Sequence, residues 1–283
     1  MRNLKTAGFV VALAFLFPLL ATAQQGEKKE KKERKGEFYF SWGYNKEWYT
    51  RSNVTIDQPE LGNKFTMRNV RAHDHPGWDE GLFSKAISIP QYNYRIGWFF
   101  NRKKGWGVEI NFDHTKYIIA DGQYVHVTGT MNNKPVDDRV TFKENQNAHA
   151  GDSSSYYFLN NGANFLLFNI VKRWHLYSNK KETVVIDGLT KAGIGPVIPH
   201  VENKFFDQPG NDPHFQVGGW NVGLEGAVRT TFFKYVYLEY ANKLDYARYS
   251  GLKIYKGKAK QAFGTYEMIL NLGVTFPIGK REE

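Results

Sequence analysis

The sequence predicts an all-β protein: an eight-stranded antiparallel up-and-down transmembrane β-barrel with long extracellular loops. Three observations lead to this fold class. An apolar leader opens the chain, apolar and polar residues alternate in several later segments, and short polar turns alternate with long connections. Because successive side chains of a strand point to opposite faces, each alternating segment has one apolar face and one polar face.

The first 23 residues are expected to be a cleavable signal peptide. Arg2 and Lys5 supply a basic start, residues 8–20 are apolar, and Ala21-Thr22-Ala23 is a small-residue cleavage site. The apolar run is too short to favour a permanent membrane helix. The chain contains no cysteine, so disulfides, thiolate metal sites and lipid attachment after the cleavage site are excluded.

Residues 24–36, which read QQGEKKEKKERKG, are predicted to be a charged periplasmic tail. Such a tract cannot bury apolar surface. Its lysines and arginines contribute to the formal net charge of +10, so the pI of about 9.4 overstates the charge of the folded part. Nucleic acid is not expected as a partner, because an exported chain meets no genome. Residues 37–283 are assigned to the barrel.

Eight segments of the barrel region are predicted to be strands. They lie near Phe38–Tyr49, Ser88–Phe100, Trp106–Asp113, Tyr156–Tyr177, Thr183–Ile198, Gln216–Arg229, Tyr235–Asp245 and Thr265–Phe276. The last alternates most clearly, since its even positions from Tyr266 to Phe276 are all apolar or aromatic.

The connections between these strands are alternately short and long. Tight turns are expected at 101–105, 178–182 and 231–234, and long connections at 46–87, 118–155, 199–215 and 246–262. An even strand number with short turns at one end is typical of bacterial outer-membrane barrels. Closure of the sheet is expected as well, because an open edge in lipid leaves backbone groups unpaired. Strand-like stretches at 124–128 and 139–142 suggest that the long connections extend the wall as hairpins.

A secreted β-sandwich or lipocalin-like barrel is the soluble alternative. It would point its aromatic residues inward and cover its outer face with charge. In this chain the face opposite the aromatic one holds Gly, Asn, Thr and Ser with isolated charges. That composition favours a narrow packed lumen, as expected for eight strands.

The alternation places a set of charged residues inside this lumen. They are Arg95, Glu109, Asp113, Glu225, Arg229, Glu239, Lys243 and Glu267. A turn centred near Phe232 would place Glu225 opposite Glu239, and two neighbouring carboxylates repel unless a guanidinium such as that of Arg95 or Arg229 lies between them. We interpret the set as a structural plug of salt bridges, with a proton relay or acid–base pair as the functional alternative.

The last long connection is rich in cations and tyrosines. Contacts with lipopolysaccharide are expected from Arg248, Lys253, Lys256, Lys258 and Lys260, which are interleaved with Tyr249 and Tyr255. Basic residues at this depth would meet lipid A and core phosphates. An ordinary solvated loop is the alternative interpretation.

Two histidine-containing segments carry weaker signals. His200 and Glu202 leave the fifth strand at the outer mouth, where they would form a base and its orienting carboxylate if the protein were an enzyme; Ser153–Ser155 or Ser250 would have to approach in space. The sequence His73-Asp74-His75 offers two imidazoles, but a lone pair of this kind is a weak metal signal. We interpret it as polar loop residues and predict no metal and no cofactor.

Over residues 37–279 the chain resembles the small outer-membrane β-barrel proteins of the OmpA, OmpX and OmpW type. The segment Gly193-Ile-Gly-Pro-Val-Ile-Pro-His-Val-Glu202, with the Gly-rich strand at Val217–Gly226, also resembles a hairpin of lipid A-modifying barrel proteins. The first resemblance implies location and fold. The second implies an activity, but no catalytic residue of those enzymes maps onto this chain, and the His-x-Ser pair of lipid A deacylases is absent.

The sequence therefore predicts a monomeric outer-membrane barrel with a packed lumen and a non-enzymatic structural or binding role at the cell surface. Expected partners are outer-membrane lipid and lipopolysaccharide, with the barrel-assembly machinery during biogenesis. A lipid A-modifying enzyme with its site at the outer mouth is the alternative. A narrow pore is a third option.

Overall fold

The computed structural model describes residues 34–75, 91–120, 122–141, 156–159, 161–205 and 208–281. The predicted signal peptide and residues 24–33 of the predicted tail lie outside the described residues. The described residues form sixteen strands and one 3₁₀ helix, Pro59–Leu61. None of their helices is long and apolar enough to cross a membrane.

In chain order the strands are β1 (Arg34–Tyr49), β2 (Ser52–Gln58), β3 (Asn63–Val70), β4 (Ala72–His73), β5 (Tyr92–Asn101), β6 (Trp106–Asp113), β7 (Tyr117–Ile119), β8 (Tyr124–Met131), β9 (Lys134–Thr141), β10 (Tyr156–Leu159), β11 (Phe165–Ser178), β12 (Val184–Pro196), β13 (Glu202–Lys204), β14 (Gly219–Phe232), β15 (Val236–Ile254) and β16 (Gly257–Arg281).

Eight of these strands close into a ring. The order is β1-β5-β6-β11-β12-β14-β15-β16, and β16 pairs back with β1. Every pairing is antiparallel, and each barrel strand pairs with the barrel strand that follows it in the chain. The predicted antiparallel up-and-down barrel of eight strands is confirmed.

The strand bounds differ from the prediction at several points; β1, for example, begins at Arg34, within the predicted tail at residues 24–36. Three differences change the architecture. The predicted fourth strand is two elements, because β10 belongs to a separate small sheet and only β11 enters the barrel. The third tight turn is Phe233–Tyr235 rather than Thr231–Lys234, with left-handed backbone at Phe233 and Lys234. The connection at 246–262 is a hairpin and not a loop, since β15 runs to Ile254 and β16 starts at Gly257.

The outer surface of the barrel is apolar on every strand. Its exposed side chains include Phe40, Ile96, Ile110, Phe168, Ile170, Ile194, Val222, Leu238, Leu270 and Leu272. A soluble monomer rarely exposes a contiguous apolar patch above a few hundred Å², whereas a membrane barrel carries an apolar band around its whole circumference. The exposed apolar side chains form a band around the barrel, which we call the belt, and this belt is the lipid-facing surface. The alternative of a secreted β-sandwich or lipocalin-like barrel is wrong for the barrel.

A second layer lies at the end of the barrel opposite the tight turns. Strands β2, β3, β8 and β9 extend the barrel sheet beyond β16, and a four-stranded sheet has the order β13-β10-β7-β4. We call these eight strands, together with the ends of β15 and β16 that join them, the cap. Residues from both sheets share one hydrophobic core, which includes Ile56, Phe65, Val127, Tyr157 and Leu159. The described parts of the long connections at this end are therefore folded into two packed sheets.

The hairpin of β8 and β9 has a two-residue turn at Asn132 and Asn133. Both residues have positive φ, at 49° and 62°. Two left-handed residues in succession form a type I′ turn, whose twist matches that of the flanking strands, and asparagine tolerates this backbone. The strand-like stretches predicted at 124–128 and 139–142 belong to this hairpin, as far as residue 141.

The buried face changes its chemistry along the two longest strands. In the barrel part of β16 most inward residues are polar, such as Glu267 and Asn271, with Ile269 as an apolar exception, while Leu272 is 59% exposed on the outside. Further along, inward Phe263 is 1% exposed in the apolar core of the cap. The outward residues Lys260 and Lys258 are exposed cations there. The apolar residues of this one strand thus point outward to lipid in the barrel and inward to the hydrophobic core in the cap.

Candidate functional site

The barrel lumen holds a dense cluster of charged side chains. The structure buries all eight predicted lumen residues, each with at most 4% of its surface exposed. Six residues form what we call the lumen network: Arg95, Glu109, Lys191, Glu225, Arg229 and Glu239. Five of them were expected on the inward face, and Lys191 was not.

Lys191 lies at the centre of the lumen network. Its Nζ is 2.9 Å from Glu109 Oε2, 3.0 Å from Glu225 Oε1 and 2.9 Å from Glu239 Oε1. Lys191 is directly opposite Glu225 on the neighbouring strand β14. Strand β12 alternates less cleanly than the others, so the inward direction of Lys191 was not predicted from the sequence. The pairing of β12 with β14 would have indicated it, because Lys191 pairs with the inward-facing Glu225.

Two guanidinium groups complete the lumen network. Arg95 Nη1 is 2.9 Å from Glu225 Oε2 and 3.2 Å from Glu109 Oε1. Arg229 Nη2 is 2.7 Å from Glu239 Oε2. The guanidinium of Arg229 also lies 4.3 Å from the ring centre of Tyr39 and 4.0 Å from that of Tyr237. Cation–π contacts of this kind are stronger when desolvated.

The predicted opposition of Glu225 and Glu239 is wrong. Glu225 is opposite Lys243 in the β14–β15 register, and Arg229 is opposite Glu239. The reason is the turn, which is centred on Lys234 and not on Phe232. A shift of two residues in the turn centre moves every partner by four positions, and it replaces a repulsive pair by two attractive ones.

The two ends of the lumen carry further ion pairs. Near the cap, Lys243 Nζ lies 2.5 Å from Asp113 Oδ2 and 3.1 Å from Glu267 Oε1. At the end with the tight turns, Glu37 accepts hydrogen bonds of 2.8 Å from Arg102 Nε and 2.6 Å from Arg173 Nη1. Side-chain ion pairs therefore cross the lumen at three heights.

A polar junction joins the lumen to the cap. Asp74 accepts a hydrogen bond of 2.6 Å from Lys46 Nζ and one of 2.8 Å from the backbone N–H of Glu47. His73 Nδ1 lies 2.7 Å from the carbonyl oxygen of Asp74. In this arrangement Asp74 ties its segment to β1. No group of three or more potential metal ligands occurs among the residues that the structure describes.

His114 follows the end of β6, beyond the lipid-facing belt. Its ring stacks on Tyr92 with 4.6 Å between centroids, and Nδ1 is 2.8 Å from Asn164 Oδ1. Burial lowers the pKa of His114 from 6.5 to about 4; Lys116 acts in the same direction, against the hydrogen bond to Asn164. The imidazole is therefore neutral at pH 7.

We expect the native state to lose stability as the pH falls below 6.5. The unfolded chain takes up a proton at His114 near pH 6.5 and the folded chain only near pH 4, so protons favour unfolding between these values. Linkage gives about 2 kcal/mol lost between pH 7.5 and pH 5. Urea unfolding of wild type and His114→Gln in detergent at both pH values measures it. An identical pH dependence of the two proteins would contradict the prediction.

His200 and Glu202 are neighbours at the outer mouth, as the sequence analysis expected. His200 Nδ1 lies 3.4 Å from Glu202 Oε1, and the imidazole packs 4.9 Å from the ring of Phe215. Glu202 also accepts a hydrogen bond of 2.7 Å from Asn161 Nδ2. Ser153–Ser155 lie outside the described residues. No serine of the described segments, Ser250 included, hydrogen-bonds to His200.

The cations predicted to contact lipopolysaccharide lie on the hairpin at 246–262, which we call the cationic hairpin. Arg248, Lys253, Lys258 and Lys260 are exposed, and Lys253 is directly opposite Lys258. Lys256 lies at the turn, 3.6 Å from Glu60. Within the described part of the chain, no carboxylate forms an ion pair with the other four. Like charges directly opposite each other destabilise a sheet. On its other side Lys258 is directly opposite Asp57 of β2, which offsets part of this repulsion.

Comparison with known proteins relates the architecture to membrane barrels. No protein-family profile and no curated protein matches the sequence. Among solved structures, Ail of Yersinia pestis, crystallised with the heparin analogue sucrose octasulfate, is 14% identical with a TM-score of 0.32; the match covers 86% of this chain and 99% of Ail.

Two further matches are of the same kind. OprG of Pseudomonas aeruginosa is 11% identical with a TM-score of 0.38, over 87% of this chain and 98% of OprG. Neisserial surface protein A is 8% identical with a TM-score of 0.31, over 85% and 97%. These three solved structures are small outer-membrane β-barrel proteins.

Proposed function

We propose that the protein is a monomeric outer-membrane barrel with a closed lumen, and that it acts without catalysis by binding lipopolysaccharide at the cell surface. The observation that carries this proposal is the row of exposed cations on the cationic hairpin, directly above the lipid-facing belt. Orientation follows from the connections, since short turns face the periplasm in barrels of this class. The cap then lies outside the cell.

The lumen network supports a structural role for the barrel interior. Arg95 and Lys191 each lie between carboxylates from other strands, and Arg229 pairs with Glu239 of the neighbouring strand, so the ion pairs tie the wall together across the axis. Eight strands leave an interior that side chains fill. Purified protein in a planar bilayer is expected to give no steady conductance, and stable channels would contradict the closed lumen.

The cationic hairpin supports the binding role. Trp220 lies opposite Arg248 in the strand register and is exposed, which places Arg248 at the outer end of the belt, beside the headgroups. Lys260 follows at greater height, and Lys258 and Lys253 lie directly opposite each other beyond it. Each basic residue near an anionic membrane surface contributes about 1 kcal/mol, so five together are sufficient for a strong preference for phosphorylated lipid.

Neutralising the cationic hairpin is expected to abolish this preference. The variant replaces Arg248, Lys253, Lys256, Lys258 and Lys260 by glutamine. Binding of lipopolysaccharide to the purified protein in nanodiscs should weaken at least a hundredfold, and the remaining binding should lose most of its dependence on salt.

The matched control removes cations at the other end of the barrel. Lys104, Lys180, Lys181 and Lys234 are exposed in the tight turns, and their replacement by glutamine should leave binding unchanged. Retention of the heat-modifiable band on gels shows that both variants fold. Equal binding by wild type and the five-residue variant would reject the proposal.

A lipid A-modifying enzyme is the second candidate function. It is favoured by the 3.4 Å pair of His200 and Glu202 at the outer mouth. Mass spectrometry of lipid A from wild-type and deletion strains distinguishes the two functions. An altered lipid A that reverts with wild type but not with His200→Ala would establish the enzyme, and an unchanged profile would eliminate it.

A further inference from the structure

A small pocket lies on the outer face where the barrel meets the cap. It has a volume of about 350 Å³ and is lined by Arg51, Ser52, Asn53, Asn69 and Ala262. Two irregularities frame it. The pairing of β16 passes from β1 to β2 with a change of register between Tyr49 and Val54, and the β2–β3 register shifts between Ser52 and Val54. Bulges of this kind re-aim side chains and occur next to functional sites.

The pocket lining is rich in hydrogen-bond donors and contains no carboxylate. The guanidinium of Arg51 is exposed. Asn53 Oδ1 accepts a hydrogen bond of 2.8 Å from the backbone N–H of Asn69, so the amide donors of Asn53 remain for a ligand. Arg248 is directly opposite Ala262 and adds a second guanidinium on the same outer face. This combination suits an anion.

The height of the pocket above the lipid–water interface indicates which anions can reach it. Trp48 and Tyr266 pair on the outer face, with 5.5 Å between their ring centroids, and mark the lipid–water interface. Ala262 lies four residues further along β16, which is about 13 Å along the strand and about 9 Å in height at a 45° tilt. The polar headgroup region of a bilayer extends about 5–7 Å beyond the hydrocarbon, so the pocket opens about 2–4 Å beyond the headgroup region, close to its outer limit.

We propose that this pocket binds a phosphate group of an outer-leaflet lipid, held by Arg51, Asn53 and Asn69 with Arg248 beside it. The inference deepens the proposed function, because it names one group of the lipid and the side chains that hold it. It rests on the binding of lipopolysaccharide proposed above. Planar guanidinium groups match phosphate geometry with paired hydrogen bonds, which gives specificity as well as affinity.

The test compares phosphorylated and dephosphorylated lipid A in nanodiscs. The variant is Arg51→Gln with Asn69→Gly; glycine preserves the backbone at Asn69, whose φ is 57°. We expect about tenfold weaker binding of phosphorylated lipid A and unchanged binding of dephosphorylated lipid A. Arg139→Gln is the matched control, since Arg139 is an exposed arginine on β9, which is four strands away from β16 in the same sheet.

Each of the other possible outcomes contradicts the proposed phosphate site. Equal weakening for both lipids would show that the pocket does not read phosphate. The variant Arg51→Gln with Asn69→Gly could bind like wild type while the five-residue cationic-hairpin variant has lost binding. This result would reject the proposed phosphate site in the pocket but not the proposed function. If neither variant weakened binding, the pocket and the proposed function would both be rejected.

Discussion

Lys191→Met is expected to destabilise the barrel by about 3–5 kcal/mol, the magnitude found when one partner of a buried ion pair is removed. Three carboxylates, those of Glu109, Glu225 and Glu239, lie within 3.0 Å of Lys191 Nζ. Without the ammonium they retain only two guanidinium groups, and the mutual repulsion of the buried carboxylates is poorly screened. Urea unfolding in detergent, followed by the heat-modifiable shift on gels, measures the loss.

The control and the rescue variant separate charge balance from simple loss of a lysine. Lys180→Met in an exposed turn should change the unfolding free energy by less than 0.5 kcal/mol. Lys191→Met combined with Glu225→Gln removes one of the stranded carboxylates and should recover part of the lost stability. If the effects of the two substitutions on the unfolding free energy simply added, so that the double variant was less stable than Lys191→Met, charge balance would not be the cause.

Phe263→Ala is expected to unfold the cap while leaving the barrel inserted. Phe263 stacks on Tyr117 at 4.5 Å and on Tyr249 at 5.3 Å, in the middle of the core of the cap. Truncation of a buried phenylalanine costs about 3–5 kcal/mol. The barrel keeps its own hydrogen bonds and lipid contacts, so the loss is local. Limited proteolysis of intact cells should then cleave within the cap, while the barrel fragment remains heat-modifiable.

Phe276→Ala is the matched control on the same strand. Phe276 is 48% exposed on the lipid-facing belt, whereas Phe263 is 1% exposed. Lipid tails fill the space left by the truncated side chain, so no cavity forms and the cap should resist protease as in wild type. Equal protease sensitivity of the two variants would mean that the cap has no core of its own.

The barrel wall could be predicted because its pattern is local. Tyr266, Leu270 and Leu272 alternate with Glu267, Asn271 and Gly273 in the sequence, and a period of two places them on opposite faces without knowledge of any partner strand. The same reasoning predicted the inward direction of Arg95 and Glu239, which the structure buries.

The partners of these charges could not be predicted in the same way. Register depends on the turn, and an error of two residues at Phe232 produced the wrong opposite residue for Glu225. Lys191 illustrates the same limit, since its three carboxylate partners come from β6, β14 and β15. Contacts across the axis are set by the closure and shear of the ring.

The sequence by itself determined the strand period, the strand number and the sidedness of the barrel wall, because each depends on neighbouring residues. Only the tertiary structure decided that the long connections build a cap with its own core. It also decided where the apolar face of β16 turns from lipid to that core, between Tyr266 and Phe263. The physical reason is that an apolar side chain is removed from water equally well by lipid and by a second sheet. The alternation of apolar and polar residues in the sequence does not distinguish between these two surroundings.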